Sequence, residues 1–430
     1  MSSPRQAGTA ASLLSASDAG TDAWWRQVAR FGAPLIEALN AERVRVTFFW
    51  RDPAGDEGCS PIRRVYVDVN GITDHHSYSP QSLRRLAGTD VWHWSTDVER
   101  RWRGSYCLLP ITAEQLPPRF SDEAAEGSRQ QREWWCSLLA GAIADPLNPA
   151  TAHTAWDGGS QSAAHMPDAP SQSAWRAFDT GVAPPPGHDR LHPLCWRSSL
   201  LGNERRIWLY AAGDTRHPAQ RPLIIVLDGQ RWAEQLPLFS AVDMQTADGA
   251  LPPAVWLLID AIDPRARGEE LPCNARFWQA VQQELLPLAA SHAAFTTEAA
   301  RTVVAGQSYG GLAAMYAGLF WPQRFGRVLT QSGSFWWPNL QWIADFDGKE
   351  QHEPGWLVGQ AGQQKTPAPM VIFQEAGDRE RDIEYVNRQM FQALTRAGHR
   401  VHFRIYAGGH DAVCWRGGLI DGVCWLLAQE

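Results

Sequence analysis

The stretch VVAGQSYGGLAAMYAGL, Val303–Leu319, decides how the rest of the chain is read. It opens on a β-branched apolar run and ends in a pattern of small residues at helical spacing. Between them stands Gly306-Gln307-Ser308-Tyr309-Gly310, a G-x-S-x-G pentapeptide. The five residues alone recur by chance in many chains, so the context carries the signal. Strand, sharp turn and helix in that order are the setting of a nucleophile elbow, which lifts a serine hydroxyl out of the sheet. The glycines are expected because crowded backbone at such a turn leaves no room for a side chain on either side of the serine.

Outward from that point the rhythm is strand then helix. RRIWLYAAG, PLIIVLDG, AVWLLIDAI, RTVVAGQS, RVLTQSGS, PMVIFQEAG and VHFRIYAGG are apolar runs too continuous for half-exposed strands, as in a parallel sheet covered on both faces. RFWQAVQQELLPLAASH and IEYVNRQMFQALTRAG have helical spacing between them. The pattern predicts a doubly wound, mostly parallel α/β-hydrolase domain over 194–430, with ligands gathering beyond the carboxyl ends of its strands.

Nearer the N-terminus the period changes. DAWWRQVARFGAPLIEAL reads as an amphipathic helix. VRVTFFWRDP, RRVYVDVNG, DVWHWSTDV and RGSYCLLP read as strands separated by turn chemistry, without helices between them. They predict a smaller β-sandwich over 24–150, closed by a helix in SRQQREWWCSLLAGAIA. The polar tract 151–193, rich in Ala, Ser, Gly and Pro, reads as a linker.

Bulk properties exclude several classes. A chain of 430 residues favours two domains. A net charge of -7 offers no general attraction for nucleic acid. No run reaches the ~18 apolar residues of a membrane span, and the first residues lack a secretory pattern, so a cytoplasmic location is expected. Seven scattered cysteines, with no C-x-x-C pair, argue against a disulfide framework or a zinc site and are expected to be mostly buried thiols. No metal cofactor is expected.

A serine hydroxyl needs a base, and in this architecture the order is serine, acid, histidine. His410, in YAGGHDAVCW after the last apolar run, has the right address. His399 sits in the preceding turn and His402 within a strand, where packing or surface roles are expected. For the acid, FQEAGDRERD offers four carboxylates. Glu380, in Gly377-x-x-Glu380, fits best as a loop residue able to reach an imidazole, with Asp378 and Asp382 open and Glu375 expected to be structural. Two backbone donors must hold the oxyanion: Tyr309, after the nucleophile, and Gln230, in the loop after LIIVLDG, where Asp228 and Arg231 are expected to brace.

The motifs reach further than a generic hydrolase. VTFFWRDP, GITDHHS, QSLRRLAGTDVWHW, WRGSYC, IADPLNP, LLIDAID, ELPCN-x-x-FW-x-AVQQELLP, RTVVAGQSYGGLAA, QSGSFWWP and GGHDAVCWRGGL together closely resemble the enterochelin esterases, from about residue 24 to the C-terminus. The resemblance implies an enzyme that cleaves the trilactone esters of an iron-loaded catecholate siderophore, with Ser308 as nucleophile and His410 as base. It supports Glu380 as the acid and Gln230 in the oxyanion hole. The tract 151–193 and the segment 345–369 fit that family's pattern less well. Iron would arrive with the substrate. Such a ligand is an aromatic trianion, and arginine both pairs with anions and stacks on rings. Arg267, Arg416, Arg103 and Arg85 are the candidate contacts, with Trp336 and Trp337 as aromatic walls. The rival expectations are an esterase or acyltransferase for another catecholate siderophore or acyl ester, and a binding protein without catalysis.

Overall fold

The computed structural model describes residues 9–155, 158–339, 355–363 and 369–429, and the chain divides into two units. The first runs to Ser171 and takes in Asp179–Gly181 and Ala407–Val413; the second holds the rest. Among the described residues no helix is long and apolar enough to cross a membrane.

Among the described residues eight strands build the first unit: β1 Leu35–Ala38, β2 Arg43–Arg51, β3 Arg64–Val69, β4 Ser82–Arg85, β5 Val91–Glu99, β6 Arg103–Ile111, β7 His153–Thr154 and β8 Ser160–His165. They hydrogen-bond in the order β1-β2-β5-β4-β3-β6-β8-β7, every pair antiparallel. Alternation decides which side chains go inward. Val44, Val46, Phe48 and Trp50 of β2 meet Val65, Val67 and Val69 of β3 and Tyr106 and Leu108 of β6 in one buried cluster, so the sheet folds over a common core as a sandwich. The outward face is covered too. Phe49 packs with Trp24, Trp25 and Val28 of the helix Asp22–Phe31, and Tyr66, Cys107 and Leu109 pack with Trp135 of the helix Ala124–Leu139.

Two boundaries differ from the sequence reading. The first helix stops at Phe31, because Gly32 turns the chain at φ 88° and Pro34 cannot continue a helix; Leu35 and Ile36 then pair as β1. The tract 151–193 is no free linker: β7 and β8 complete the first sheet, and β9 of the next sheet begins at Leu191. The cysteines also depart from expectation. None of the seven is in a disulfide, only Cys107 and Cys414 are buried, and Cys59, Cys136 and Cys195 are exposed.

The second unit is built on β9 Leu191–Ser198, β10 Asn203–Ala212, β11 Leu223–Val226, β12 Ala254–Ile259, β13 Thr302–Gln307, β14 Arg327–Gln331, β15 Val371–Gly377 and β16 Arg400–Tyr406, ordered β16-β15-β14-β13-β11-β12-β10-β9. From β12 across to β16 all neighbours run parallel. RRIWLYAAG, expected among the parallel strands, instead forms β10, antiparallel to both β9 and β12. Strands β11 to β14 are buried on both faces, which is why their sequences do not alternate. The chain passes from β11 to β12 on one side and then to β13 on the other. That reversal is a topological switch point, the place where open α/β sheets bind ligands.

Candidate active site

Ser308 follows β13 at this switch point with φ 57° and ψ -121°, a conformation that L residues avoid. The turn is held on both sides: the Ser308 N–H donates to Gln331 O at 3.0 Å, and Leu312 N–H donates to Ser308 O at 3.0 Å. A Cβ at Gly306 would lie 2.3 Å from the Gly310 backbone, so glycine is obligatory there. At Gly310 the nearest atom, Asp228 Oδ2, would be 3.3 Å away, a tight but different case. The second real conflict is at Gly311, where a Cβ would meet Thr330 Oγ1 at 2.7 Å. The crowding expected on both sides of the serine thus falls before it and two residues beyond the motif's first helical position.

Tyr309 opens the helix Tyr309–Phe320, so its N–H has no intrahelical acceptor. Gln230 lies in the first helical turn after β11, with its side chain accepting from Ala261 N–H at 3.1 Å. Both expected oxyanion donors therefore stand just beyond the carboxyl ends of two paired strands. Asp228 precedes Gln230 at φ 54° and is buried. Arg267 grips it with two parallel bonds of 2.7 and 2.8 Å and lies over the Tyr309 ring at 5.6 Å. The bracing role expected of Asp228 is present, and Arg267, expected to meet substrate, is its partner in the brace.

On the other side of the turn, Ser334 Oγ lies 3.2 Å from Ser308 Oγ, and Ser334 N–H donates to Ser308 O. The same loop carries Trp336, which packs beside Tyr309 at 5.6 Å, and Trp337, half-buried against Trp356. Sequence reading missed Ser334; the signal was its place two residues after the strand-end Ser332.

Glu380 is buried, and its Oε1 accepts from Gly377 N–H at 3.0 Å, Ser332 Oγ at 2.7 Å and Tyr406 Oη at 2.7 Å. Trp415 Nε1 donates toward both hydroxyls at 3.0 Å. Burial first, and the charge of Glu380 second, push the Tyr406 phenol well above its ordinary value. Below this cage runs a buried polar row. Trp232 Nε1 donates to Gln307 Oε1, Gln307 Nε2 to Gln331 Oε1, Gln331 Nε2 to Glu375 Oε1, and Arg404 Nε to Glu375 Oε2. Glu375 is thus structural, as expected; burial raises its carboxyl above the usual range while Arg404 and Gln331 pull it down.

The other expected residues have different surroundings. Arg416 has no exposed surface; it donates to Gln172 Oε1 at 2.7 Å and lies over the Trp175 ring. The contacts described at that position, expected to meet substrate, are packing and bracing ones. His399 is buried and accepts Met370 N–H, and His402 stacks on Phe373. Three expectations fall in the first unit. Arg85 pairs with the buried Asp52 and covers Trp92, and Arg103 is buried with its guanidinium on Pro170 O. His410 is exposed, in the segment Ala407–Val413 that packs with β3 and β6: Asn70 Nδ2 donates to His410 O at 3.1 Å, and Ser105 Oγ donates to Asp411 Oδ1 at 2.7 Å. The segment 345–369 lies mostly outside the described residues.

A parallel sheet with a strained serine at its switch point, free amides beside it and a caged carboxylate two strands away defines an esterase of the α/β-hydrolase class. The comparisons with known proteins narrow this. Residues 45–175 match the family model "Enterochelin esterase, N-terminal" and residues 198–426 match "Putative esterase". The chain is 64% identical over 431 residues to the iron(III) enterobactin esterase of Dickeya dadantii (strain 3937), covering 100% of this chain and 98% of that one. It is 43% identical to the enzyme of that name from Escherichia coli K12, over 95% and 97% of the two chains. The crystal structure of the Shigella flexneri enterobactin esterase in the presence of enterobactin superposes with a TM-score of 0.80 at 43% identity, covering 95% and 98%. The Salmonella typhimurium ferric enterobactin esterase does so at 0.83 and 44%, covering 94% and 98%. The chain belongs to the enterochelin esterase family.

Proposed function

We propose that this protein hydrolyses the ester bonds of ferric enterobactin, with Ser308 as nucleophile, His410 as general base, Glu380 as the carboxylate that orients it, and the Tyr309 and Gln230 amides as the oxyanion hole. The observation that carries the reading is the strained Ser308 at the switch point, in a chain whose relatives bear the name iron(III) enterobactin esterase over their whole length. Ser308 Oγ attacks a backbone ester carbonyl while its proton passes to His410. The negative charge that develops on the carbonyl oxygen is met by the two amides, a contribution of several kcal/mol at such sites. Collapse expels the alcohol, which takes the proton from His410. Water then attacks the seryl ester by the same route, releasing the carboxylate and restoring Ser308. Linear and then monomeric dihydroxybenzoyl-serine result, which weakens the chelate and frees the iron. The iron enters as part of the substrate, and the reading requires no cofactor of the enzyme and places it in the cytoplasm.

Trp336 and Trp337, on the loop that shares hydrogen bonds with Ser308 through Ser334, are the aromatic contacts this reading assigns to a catechol ring. Arg267 acts on the substrate through the Asp228 loop rather than by direct contact. A second reading, another catecholate siderophore, is favoured by 29% identity to an iron(III) salmochelin esterase of Escherichia coli O6:H1 over 93% of the chain. Mass spectrometry of products tests the first reading: trimer, dimer and monomer should appear in order with the wild type and none with Ser308→Ala. Equal kcat/KM for ferric enterobactin and a simple aryl ester would sink the siderophore assignment.

A further inference from the structure

The loop after β12 presents an isoleucine in a backbone conformation that β-branched residues avoid. Among the described residues five non-glycine positions have positive φ: Asp228, Ile262, Cys273, Ser308 and Ser332. Ile262, at φ 67°, is the β-branched one, where the conformation is most costly. The turn itself is made by other groups. Asp263 N–H donates to Ala261 O at 2.9 Å and closes a γ-turn centred on Ile262, of the rare hand that its positive φ marks. Ile262 N–H donates to Asp260 Oδ1 at 2.9 Å, and Arg206 Nε holds Asp260 Oδ2 at 2.7 Å. Glycine would follow the same path without strain. Nor does the side chain fill the core, since Ile262 is 38% exposed. Single exposed apolar residues are ordinary on a protein surface, but strain at one of them asks for a function.

The loop is fixed at both ends to the groups around the oxyanion donors. Ala261 N–H donates to Gln230 Oε1 at 3.1 Å, while Arg267 bonds Asp228 and lies over the Tyr309 ring. What it exposes between those two points therefore lies at the rim of the candidate site. In the order β14-β13-β11-β12 the nucleophile follows β13 and Gln230 follows β11. Trp336 stands after β14 on one side of this pair, and Ile262 stands after β12 on the other. The scissile ester of a three-armed catecholate has an arm to each side. We infer that Ile262 is a specificity-determining substrate contact, whose exposed side chain packs on a second catechol ring across the ester from the one assigned to Trp336. A branched aliphatic group covers a ring face and makes no demand on the oxygens, which stay with the iron. The inference rests on the siderophore reading and adds a residue that tells a ring-bearing ester from a bare one.

Three variants test it: Ile262→Gly removes both the surface and the strain, Ile262→Thr keeps the branch but makes it polar, and Ile262→Val keeps both. Each is assayed for hydrolysis of ferric enterobactin, for the rate at which diisopropyl fluorophosphate, which carries no ring, inactivates Ser308, and for melting. Covering the exposed part of an isoleucine is worth about fivefold to twentyfold in affinity. KM for ferric enterobactin should rise by that factor in the glycine and threonine variants, with kcat within about twofold, because the contact is made equally before and during reaction. Ile262→Val should stay within about threefold of the wild type. The inactivation rate should be unchanged in all three, since it depends on the elbow and the oxyanion amides. Ile262→Gly should melt at or above the wild-type temperature, as release of strain offsets the added freedom of the unfolded chain. A wild-type KM in both Ile262→Gly and Ile262→Thr overturns the inference. So does a fall in the inactivation rate that matches the loss on ferric enterobactin, or a glycine variant that melts several degrees lower, because the side chain would then be supporting the loop. A wild type that reacts with the fluorophosphate but leaves ferric enterobactin intact overturns the siderophore reading, and this inference with it.

Discussion

Replacing Gly306 by alanine should break the elbow, whereas the same change at Gly310 should be tolerated, although the two glycines are equivalent in the motif. A Cβ at position 306 would sit 2.3 Å from both the carbonyl carbon and the oxygen of Gly310, and 2.9 Å from its Cα. Ordinary contact begins near 3.4 Å, so the deficit is about 1 Å, against backbone rather than a flexible side chain. Relief requires the strand end and the helix start to separate, and both are pinned: Ser308 N–H to Gln331 O and Leu312 N–H to Ser308 O. Overpacking in a closed core costs typically 1–3 kcal/mol, and with no side chain free to yield the expected loss is about 3 kcal/mol. A domain of this size should then melt about 6–12 °C lower. Position 310 differs because its nearest neighbours, Asp228 Oδ2 at 3.3 Å and Leu227 Cβ at 3.4 Å, need to give by only a few tenths of an ångström. Gly310→Ala should cost less than about 1 kcal/mol. Calorimetry or urea unfolding measures the stability, and hydrolysis of ferric enterobactin follows the elbow. Should Gly306→Ala melt with the wild type and turn over at its rate, or should the two variants suffer equally, the steric account of the turn is wrong.

Other perturbations follow from the same contacts. Arg267→Met leaves the buried Asp228 carboxylate without its two-pronged partner, a loss of about 3–5 kcal/mol. Arg267→Lys keeps the charge but not the fork and should fall between, with kcat reduced more than KM is raised; a lysine variant indistinguishable from wild type in melting and kcat refutes the brace. For His399, burial depresses the imidazole below its ordinary value, and the neutral ring accepts Met370 N–H. The unfolded chain therefore binds a proton below about pH 6.5 that the folded chain resists. Stability from this site is present above that pH and is lost as pH falls toward the depressed folded value. The urea midpoint should decline from pH 7.5 to 5.5, and His399→Leu should flatten the decline while costing about 1–3 kcal/mol for the stranded Met370 N–H. An unchanged slope in that variant removes His399 as the cause.

What the sequence displays openly is whatever a few adjacent residues determine. The elbow is local: apolar run, glycine, serine and small-residue helix are contiguous, so Ser308 could be read and the sheet class with it. Glu380 was legible for the same reason, three residues past the strand-end Gly377. The residues that hold it were not, because they meet through register. Gln331 pairs with Glu375, Glu375 with Arg404, and Gly377 with Tyr406, across β14, β15 and β16. Nothing in a linear chain states which residue of one strand faces which of the next, so Ser332, Tyr406 and Trp415 could not be assembled around Glu380. Arginines pose a related difficulty. Arg267 and Arg416 carry the charge that an anionic ligand needs, but whether a guanidinium faces solvent or a buried partner depends on distant residues, Asp228 and Gln172 here. The N-terminal helix was overextended because Leu35 and Ile36 satisfy a helical period; Gly32 and Pro34 carried the stop signal that outweighs it.

The same end of the sheet shows why one serine of several stands out in the sequence when the strain is shared. Three successive neighbours in the sheet, β11, β13 and β14, each end in a non-glycine residue with positive φ: Asp228 at 54°, Ser308 at 57° and Ser332 at 48°. Each such residue costs of order 1–3 kcal/mol and persists only where its surroundings enforce it. The enforcement differs at each. Arg267 holds Asp228 from its carboxylate, Gln331 O holds Ser308 from its N–H, and Glu375 O holds Ser332 from its N–H. Glycine follows at once in two of the three: a Cβ at Gly229 would strike the Leu258 and Ile259 backbone at 2.6 Å, and one at Gly333 the Phe335 ring at 2.5 Å. The motif names only Ser308 because only there do glycines bracket the residue on both sides. The physical unit is the row of three reversals, which places the Asp228 carboxylate held by Arg267, the Ser308 hydroxyl, and the Ser332 hydroxyl bonded to Glu380 at the ends of adjacent strands. Relaxing either flank, by Gly229→Ala or Gly333→Ala, should therefore lower kcat without touching Ser308, His410 or Glu380. Activity at the wild-type level in both variants, with the side chain accommodated, would show that the three reversals are independent and that only the central one matters.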